Sequence, residues 1–360
     1  MNDPDPRALG QWLAERLGGP ADPPRLRRID GGQSNPTWFV DWGARRLVLR
    51  KKPAGPILPG AHAVDREFRV LRALEGTAVP VPRALALEEG DTPLGTPFYV
   101  MERLDGRVFD DASLPGVSAE QRGEMYLDVA RTLARLHAVR PEAVGLGDFG
   151  RPGSYFARQI ARWTRQYHAA RGPRIPALDR LVDWLPAHMP ADDGAVSIAH
   201  GDFRIGNLMF HPTRPQVIGV LDWELSTLGH PLADLGFCVM PWHSARDEYG
   251  GLLGTDWRSL GIPERDTFVA EYRSEAACQG APTAPLRPFH IAFAMFRFAV
   301  IFVGIAERAR AGSAASADAA RLGPLAERFA RRACVVIDRH PNSGAGATDA
   351  AEERARQPPE

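Results

Sequence analysis

The sequence predicts an α+β fold with two lobes, a small β-rich lobe followed by a larger, mostly helical lobe. Near the N-terminus, three strand-type runs occur at 26–30, 37–40 and 45–50, and turn sequences separate them. From about residue 118, apolar residues recur with helical spacing instead. The predicted helices lie at 118–138, 154–169, 177–187, 262–278, 286–310 and 317–339.

These patterns divide the 360-residue chain into four segments. A helix at about 62–75 and two further strand-type segments, PRALALEE and PFYVMERL, complete the small lobe. The C-terminal segment has low hydrophobicity, and we expect it to be disordered. The segments are 1–25 (N-terminal helix and linker), 26–104 (N-lobe), 105–340 (C-lobe) and 341–360 (disordered tail).

Composition argues against several functions. The 44 basic and 44 acidic residues balance, whereas nucleic-acid binding depends on an excess of Lys and Arg. The three cysteines show no CxxC spacing, so they predict thiols in a reducing compartment and no zinc site. The first ten residues, MNDPDPRALG, do not have the pattern of a signal or transit peptide, and we expect a cytoplasmic location. The sequence carries no indication of the oligomeric state.

One apolar segment, FHIAFAMFRFAVIFVGIA at 289–306, is long enough to be tested as a membrane span. Arg297 lies in its middle, and a charge at bilayer depth is energetically costly. We therefore predict a buried core helix and no contact with a membrane. Arg297 then needs an acidic or carbonyl partner inside the protein.

The chemistry-bearing residues concentrate in HGDFRIGN at 200–207 and VLDWE at 220–224. Between them, LMF and VIGVLD flank a short turn and should pair as an antiparallel hairpin. Pairing brings Asn207, before the first strand, beside Asp222, after the second. Because Mg²⁺ takes few protein ligands and prefers oxygen, these two side chains are candidate magnesium ligands.

Two further residues of the first motif suit phosphoryl transfer. Asp202 would face the same space and accept a proton from a hydroxyl group, and Arg204 would place positive charge near transferring phosphate oxygens. A rival hypothesis treats the local acids and histidines as a two-metal hydrolase site, which the spacing does not favour. The rival set is His200, Asp202, Asp222, Glu224, His230 and Asp234.

These motifs resemble a known family. H-x-D-x-x-x-x-N followed by a hairpin and Asp222 resembles the catalytic and metal-binding loops of the protein-kinase-like fold. With Gly201 and DWE, it is similar to the aminoglycoside phosphotransferase (choline-kinase-like) superfamily. GGQSNPTWFV, GTPFYVMERLDGRVFDD and VLDWELSTLGHPLADL resemble the phosphotransferase domain that accompanies acyl-CoA dehydrogenases, and the likeness runs from about 26 to about 340.

The resemblance implies a protein-kinase-like two-lobed fold that uses ATP and Mg²⁺. It gives Asp202 the role of catalytic base and makes Asn207 and Asp222 the magnesium ligands. Arg204 falls where protein kinases carry the lysine that contacts the transferred phosphate. The remaining matches are Asp234, expected to brace the catalytic loop, and Trp223 and Glu224, expected to face the substrate.

On the nucleotide side, the GGQSN loop occupies the position of the family's phosphate loop. Backbone N–H groups of Gly31, Gly32 and Ser34 would approach the phosphates, with Asn35 closing the same loop. By the same resemblance, adenine would hydrogen-bond to backbone groups around Glu102 and Leu104.

In the strand RRLVLRKK, Arg50 takes the position of the lysine that clamps phosphates in kinases. Lys51 points to the other face of a regular strand and replaces Arg50 only if the strand bulges. Glu67 lies on the apolar stripe of the 62–75 helix and therefore needs a partner, for which Arg50 is the candidate. An edge position for Glu67, paired with a surface arginine, stays open as the alternative.

The acceptor is less defined by the sequence. Arg158, Arg162 and Arg165 lie along one side of a helix, near Trp163 and Tyr167. If this helix borders the acceptor cleft, it favours an anionic or aromatic-stacking acceptor over a polycation. A solvated basic face explains the same arginines equally well. The acyl-CoA-dehydrogenase branch points to a small hydroxylated acceptor, a hydroxyacyl-CoA or hydroxy acid. The alternatives are an aminoglycoside phosphotransferase and a catalytically silent, nucleotide-binding pseudokinase.

Overall fold

A computed structural model describes residues 3–29, 35–55, 62–90, 92–151, 153–281, 283–310 and 322–339. The chain forms two compact units. The first comprises Met1–Phe109, Val139–Phe149 and His200–Thr227, and the second comprises Asp110–Ala138, Gly150–Ala199 and Leu228–Glu360. The predicted phosphate-loop residues Gly31, Gly32 and Ser34 and the predicted tail at 341–360 lie outside the described residues.

The described residues contain helices and strands close to the predicted positions. The helices are α1 Pro6–Leu17, α2 Val64–Leu74, α3 Ala119–Ala138, α4 Tyr155–Ala169, α5 Pro176–Ala187, α6 Pro231–Cys238, α7 Arg265–Cys278, α8 Pro288–Arg310 and α9 Leu325–Asp338. The strands are β1 Arg25–Arg28, β2 Thr37–Trp42, β3 Arg45–Lys51, β4 Ala84–Glu88, β5 Phe98–Glu102, β6 Ser197–Ala199, β7 Leu208–Phe210, β8 Val217–Val220 and β9 Thr227–Gly229. The short elements α6, β6 and β9 were not predicted.

In the first unit, five antiparallel strands form a sheet in the order β1-β2-β3-β5-β4. Successive side chains of a strand point to opposite faces. On β3, Leu47 and Leu49 join the buried cluster that α1 covers with Trp12, whose ring lies 4.7 Å from that of Phe98. Arg50 points to the other face, toward helix α2.

Two later segments belong to the same unit, although the sequence-based boundary at 104 assigned them to the C-lobe. The physical reason is hydrogen bonding to the N-terminal part of the chain. Val220 donates from its backbone N to the Pro80 carbonyl over 2.8 Å, and Arg66 Nη2 donates to the Phe149 carbonyl over 2.9 Å. The β7–β8 hairpin is antiparallel, as predicted, with Leu208 opposite Val220.

The second unit is mainly helical, with α8 packed against α4, α5, α6 and α9. Helix α8 is long and apolar enough to cross a membrane, and 78% of its most apolar 18-residue window is buried. Arg297, at its centre, is 9% exposed and lies 5.8 Å from the ring centroid of Trp163. A five-stranded antiparallel sheet in the first unit and a mainly helical second unit confirm the α+β fold class.

Candidate functional site

The loop at 200–207 is held by His200, which is fully buried. Its Nδ1 accepts a hydrogen bond from the backbone N of Asp202 over 3.1 Å. Its Nε2 therefore carries the hydrogen and donates to the carbonyl of Leu221, 2.9 Å away. The imidazole connects the loop to the end of the β7–β8 hairpin, and these two hydrogen bonds give His200 a structural role.

Gly201 makes a tight turn possible between His200 and Asp202. Its φ of +83° lies in the left-handed region, which strongly favours glycine. A Cβ atom at this position would also lie 2.6 Å from the backbone oxygen of Leu225, closer than real contacts allow. Backbone conformation and close approach therefore both require glycine here.

Asn207 holds the side chain and the backbone carbonyl of Asp202 in place. The Nδ2 group of Asn207 donates to Asp202 Oδ2 over 2.7 Å and to the Asp202 carbonyl over 2.8 Å. Arg204 Nε lies 3.4 Å from the same carboxylate oxygen. Burial raises the pKa of Asp202, and Arg204 and His200 oppose this shift without reversing it. A raised pKa strengthens a carboxylate as a proton acceptor.

The structure brings Asn207 and Asp222 to the same end of the hairpin, as the pairing argument requires. The backbone N of Leu221 donates to the Asn207 carbonyl over 2.8 Å, which extends the ladder beyond Leu208 and Val220. Asp222 adopts a φ of +63°, unusual for a residue with a side chain. Strain of this kind persists only where surrounding structure imposes it, and it concentrates at functional sites.

Arg50 links this hairpin to helix α2. Its Nη2 lies 2.5 Å from Asp222 Oδ1, and its Nε lies 2.6 Å from Glu67 Oε2 without the angle of a hydrogen bond. Burial acts to lower the pKa of Arg50, but attraction to Glu67 and Asp222 outweighs it and raises the pKa. The guanidinium is therefore a permanent cation between two carboxylates.

The register of β3 decides between the two candidate cations. Arg50 pairs with Thr37 and Tyr99, and Lys51 with Phe98, without a bulge in either ladder. Lys51 therefore lies on the opposite face from Arg50. The ion pair predicted between Arg50 and Glu67 is present, and the alternative edge position for Glu67 is wrong because this side chain is 1% exposed.

The acidic groups near Arg50 form a set of hard oxygen donors. Carboxylate oxygens of Glu67, Asp222 and Glu224 lie within 4.8 Å of one another. Because Asn207 directs its amide nitrogen at Asp202, its amide oxygen faces away and is suited to a cation. Oxygen ligands of this type fit Mg²⁺. Sequence reasoning expected Glu224 to face the substrate and missed its proximity to Glu67.

Trp223 does not face a substrate, contrary to expectation. Its side chain is 2% exposed, and its Nε1 donates to the Val220 carbonyl over 3.0 Å. Its ring packs 4.7 Å from that of His200. A large aromatic residue at this position supports the loop from inside, because its partner groups lie in the core.

Outside the phosphate loop, the structure describes three further predicted nucleotide-binding residues, Asn35, Glu102 and Leu104. Asn35 is buried, and its Nδ2 donates to Glu67 Oε1 over 2.5 Å. At the end of β5, the backbone N of Glu102 donates to the Arg83 carbonyl, so this N–H is already used. Within the described residues, the backbone N–H and C=O of Leu104 make no hydrogen bond, which leaves them suited to an adenine edge.

The remaining candidates belong to the second unit. Trp163 and Tyr167 on α4 are buried, whereas Arg162 and Arg165 are exposed, as the alternative of a solvated basic face requires. Asp234 lies 3.5 Å from His137 Nε2, and its bracing role stays a prediction.

The rival metal hypothesis also draws on this second unit. His230 caps α6 through its Nδ1, and its Nε2 lies 3.1 Å from Asp193 Oδ1. These contacts give His230 a structural role, which weakens the rival hypothesis.

Comparison with known proteins identifies relatives over most of the chain. Residues 25–272 match the model of the phosphotransferase enzyme family. The crystal structure of a candidate aminoglycoside phosphotransferase from Ralstonia eutropha JMP134 is 43% identical, with a TM-score of 0.83, and covers 94% of this chain and 99% of its own. A thermostable mutant of APH(4)-Ia, in complex with AMP-PNP and hygromycin B, is 15% identical, with a TM-score of 0.58 and coverage of 90% and 98%. The latter likeness shows the fold alone.

Curated relatives carry the matching region within longer proteins. Mouse acyl-CoA dehydrogenase family member 10 is 42% identical over 329 residues, which are 91% of this chain and 30% of the relative. Chicken acyl-CoA dehydrogenase family member 11 is 40% identical over 335 residues, or 90% and 43% respectively. The chain therefore spans less than half the length of these relatives. The resemblance inferred from the sequence motifs is confirmed.

Replacement of Gly201 tests the packing of the loop. We expect Gly201→Ala to lower the free energy of unfolding by about 1–3 kcal/mol more than Gly145→Ala, because overpacking against backbone adds to the strain of a positive φ. Gly145 is the matched control, since its φ is +74° and no atom lies within 4 Å of an added Cβ. Urea unfolding measures both variants, and equal losses would show that Leu225 does not constrain this position.

Proposed function

We propose, from the premise that this chain belongs to the phosphotransferase enzyme family, that it transfers the γ-phosphate of ATP to a hydroxyl group of a small metabolite, with Mg²⁺ as the metal. The observation that carries the proposal is the convergence of three side chains in one unit. Asp202 accepts a hydrogen bond from Asn207. Leu221 donates from its backbone N to the Asn207 carbonyl and accepts from His200, which holds Asn207 and Asp222 at the same end of a hairpin.

Asp202 is suited to accept the proton of the acceptor hydroxyl. Its carboxylate is partly exposed, and its orientation is set by the Asn207 amide. In the transfer, the hydroxyl oxygen forms a bond to the γ-phosphorus, the bond from that phosphorus to the β-γ bridging oxygen breaks, and the hydroxyl proton passes to Asp202. The products are a phosphate monoester and ADP.

Two arginines of the same unit are suited to the phosphate charge. Arg204 is 32% exposed at the loop, and Arg50 is held in place by two carboxylates. Fixed charges of this kind stabilise a transition state without reorganising during the reaction. Asn207 Oδ1 and the Asp222 carboxylate are the proposed magnesium ligands, with Glu224 close to Asp222. When bound, Mg²⁺ would neutralise charge on the phosphates.

For the acceptor, we propose a hydroxyacyl-CoA or a hydroxy acid. This choice is supported by the names of the longer relatives that contain a matching region, acyl-CoA dehydrogenase family members 10 and 11. Phosphorylation of a hydroxyl on such a molecule would convert a poor leaving group into a good one.

A second candidate function is phosphorylation of an aminoglycoside. The observation in its favour is the 43% identity to the Ralstonia eutropha protein, which is named as a candidate aminoglycoside phosphotransferase. Aminoglycosides are polycations, so this function requires an acceptor pocket lined by acidic groups.

Substitution of Asp202 tests the proposed base. We expect Asp202→Asn to lower turnover about 10²–10⁴-fold, the usual contribution of a general base, while nucleotide binding is retained. The amide keeps the shape of the side chain and can still accept a bond from Asn207. Initial rates of ADP formation and nucleotide titrations measure the two effects. Wild-type turnover in Asp202→Asn would remove this residue from the mechanism.

Substitution of Asp222 tests the proposed metal site. Asn is the appropriate replacement because it tolerates the left-handed conformation of this residue while removing the charge. We expect Asp222→Asn to lower the magnesium-dependent part of nucleotide affinity at least about 10-fold. Asp105→Asn, at an exposed acid paired with Arg46, is the control and should bind normally. Unchanged Mg²⁺ dependence in Asp222→Asn would contradict the assignment.

A panel of acceptors tests the substrate class. We expect ADP release with hydroxyacyl-CoAs or hydroxy acids, and none above background with choline-like amino alcohols or aminoglycosides. Hydrolysis of ATP without acceptor serves as the baseline, and Asp202→Asn serves as the inactive control. Release with kanamycin-type compounds alone would establish the second candidate function instead.

A further inference from the structure

His62 is a histidine that neither the sequence motifs nor the proposed mechanism uses. It lies at the start of α2, where its carbonyl accepts a hydrogen bond from the Val64 backbone N over 3.0 Å. Its φ is +59°, so it occupies the left-handed region, which is uncommon for residues other than glycine. Such a conformation persists only when other contacts impose it.

Two hydrogen bonds of the Asn35 amide, one with Glu67 and one with His62, determine which ring nitrogen of His62 is available. Glu67, as a carboxylate, only accepts hydrogen bonds, so the Asn35 amide must present Nδ2 to it and Oδ1 to the histidine. His62 Nδ1 lies 3.1 Å from that oxygen and must therefore carry a hydrogen. Among the described residues, Nε2 of His62 has no hydrogen-bond partner.

Two cations act on His62, Arg50 from strand β3 and Lys52, which directly follows that strand. Burial, Arg50 and Lys52 together lower the pKa of His62. The backbone of Lys52 is held by hydrogen bonds with Pro97 and Thr96, and within the described residues its side chain makes no ion pair. The half-buried imidazole of His62 therefore lies close enough to both cations to be affected by their charge.

We propose that His62 is a further contact for the phosphates of the bound nucleotide, with Nε2 as the contacting atom. This inference rests on the proposed function, because it concerns the same nucleotide. The Asn35 bridge fixes the ring, so that Nδ1 donates to Asn35 Oδ1 in either protonation state. Protonation of Nε2 then provides a second donor, directed at an anionic phosphate oxygen.

The proposal has a defined pH dependence. Without nucleotide, Arg50 and Lys52 repel a charged imidazole, so His62 is neutral near pH 7. A bound polyphosphate screens these cations and attracts the proton, so the pKa of His62 rises on binding. Binding is therefore coupled to proton uptake, and affinity is higher below the bound-state pKa than above it.

The experiment compares the wild-type protein with His62→Asn and His62→Ala. Asn tolerates a positive φ and can donate from Nδ2 to Asn35, but it has no atom at the place of Nε2. His62→Ala loses both functions. Calorimetric titration with Mg·ADP at pH 6.0 and 8.0, in buffers of different ionisation enthalpy, measures affinity and proton uptake. Protonation of the nucleotide itself is common to all three proteins and cancels in the comparison.

We expect the wild-type protein to take up a proton on binding and to bind Mg·ADP about 10-fold more tightly at pH 6.0 than His62→Asn, a difference of about 1.4 kcal/mol. The two proteins should converge at pH 8.0. ¹³C-histidine NMR, with His62→Asn identifying the signal, should show the pKa of His62 rising when nucleotide binds. Equal melting temperatures of the wild type and His62→Asn would exclude a loss of folding.

Two outcomes would overturn the inference. If His62→Asn binds as the wild type does at pH 6.0, or if only His62→Ala is weakened, His62 has a structural role through Asn35 and does not contact phosphate. Both outcomes leave the proposed function intact, because the wild-type protein still binds nucleotide. Failure of the wild-type protein to bind Mg·ADP at either pH would refute the proposed function, and this inference with it.

Discussion

The candidate site depends on one interaction, the shared ion pairing of Arg50 with Glu67 and Asp222. The guanidinium is largely buried, and a buried charge is stable only when opposite charges compensate it. Here the two acids come from different parts of the chain, one from helix α2 and one from the end of the β7–β8 hairpin, 172 residues after Arg50. The same contact that stabilises Arg50 therefore places the β7–β8 hairpin against the N-terminal sheet.

The rest of the site is built from backbone constraints that surround this contact. His200 joins the 200–207 loop to the hairpin through one donor and one acceptor, and Gly201 allows the tight turn between His200 and Asp202. Asp222 is held in a left-handed conformation at the point where the strand ends. A buried imidazole and strained residues are unfavourable alone, and they persist because neighbouring hydrogen bonds impose them. The arrangement is thus preorganised, which is the main requirement for phosphoryl transfer.

Much of this could be predicted because it follows from local patterns. Alternation along RRLVLRKK predicts that Arg50 and Lys51 point to opposite faces, and the short turn between LMF and VIGVLD predicts which strand ends meet. Predictions failed where burial decides the outcome. Trp223 was expected to face the substrate but packs into the interior, since sequence spacing does not distinguish a core ring from an exposed one.

The sequence by itself determined the fold class, the hairpin, the ordered motif from Asp202 to Asp222 and the family to which they belong, because each depends on residues close together in the chain. Only the tertiary structure decided that 139–149 and 200–227 join the N-terminal unit, that Glu224 lies beside Glu67, and that Asn35 connects His62 to Glu67. These are contacts between segments remote in sequence. These contacts form because buried charges and amides need partners in the packed interior, and a local sequence pattern does not predict which partners they have.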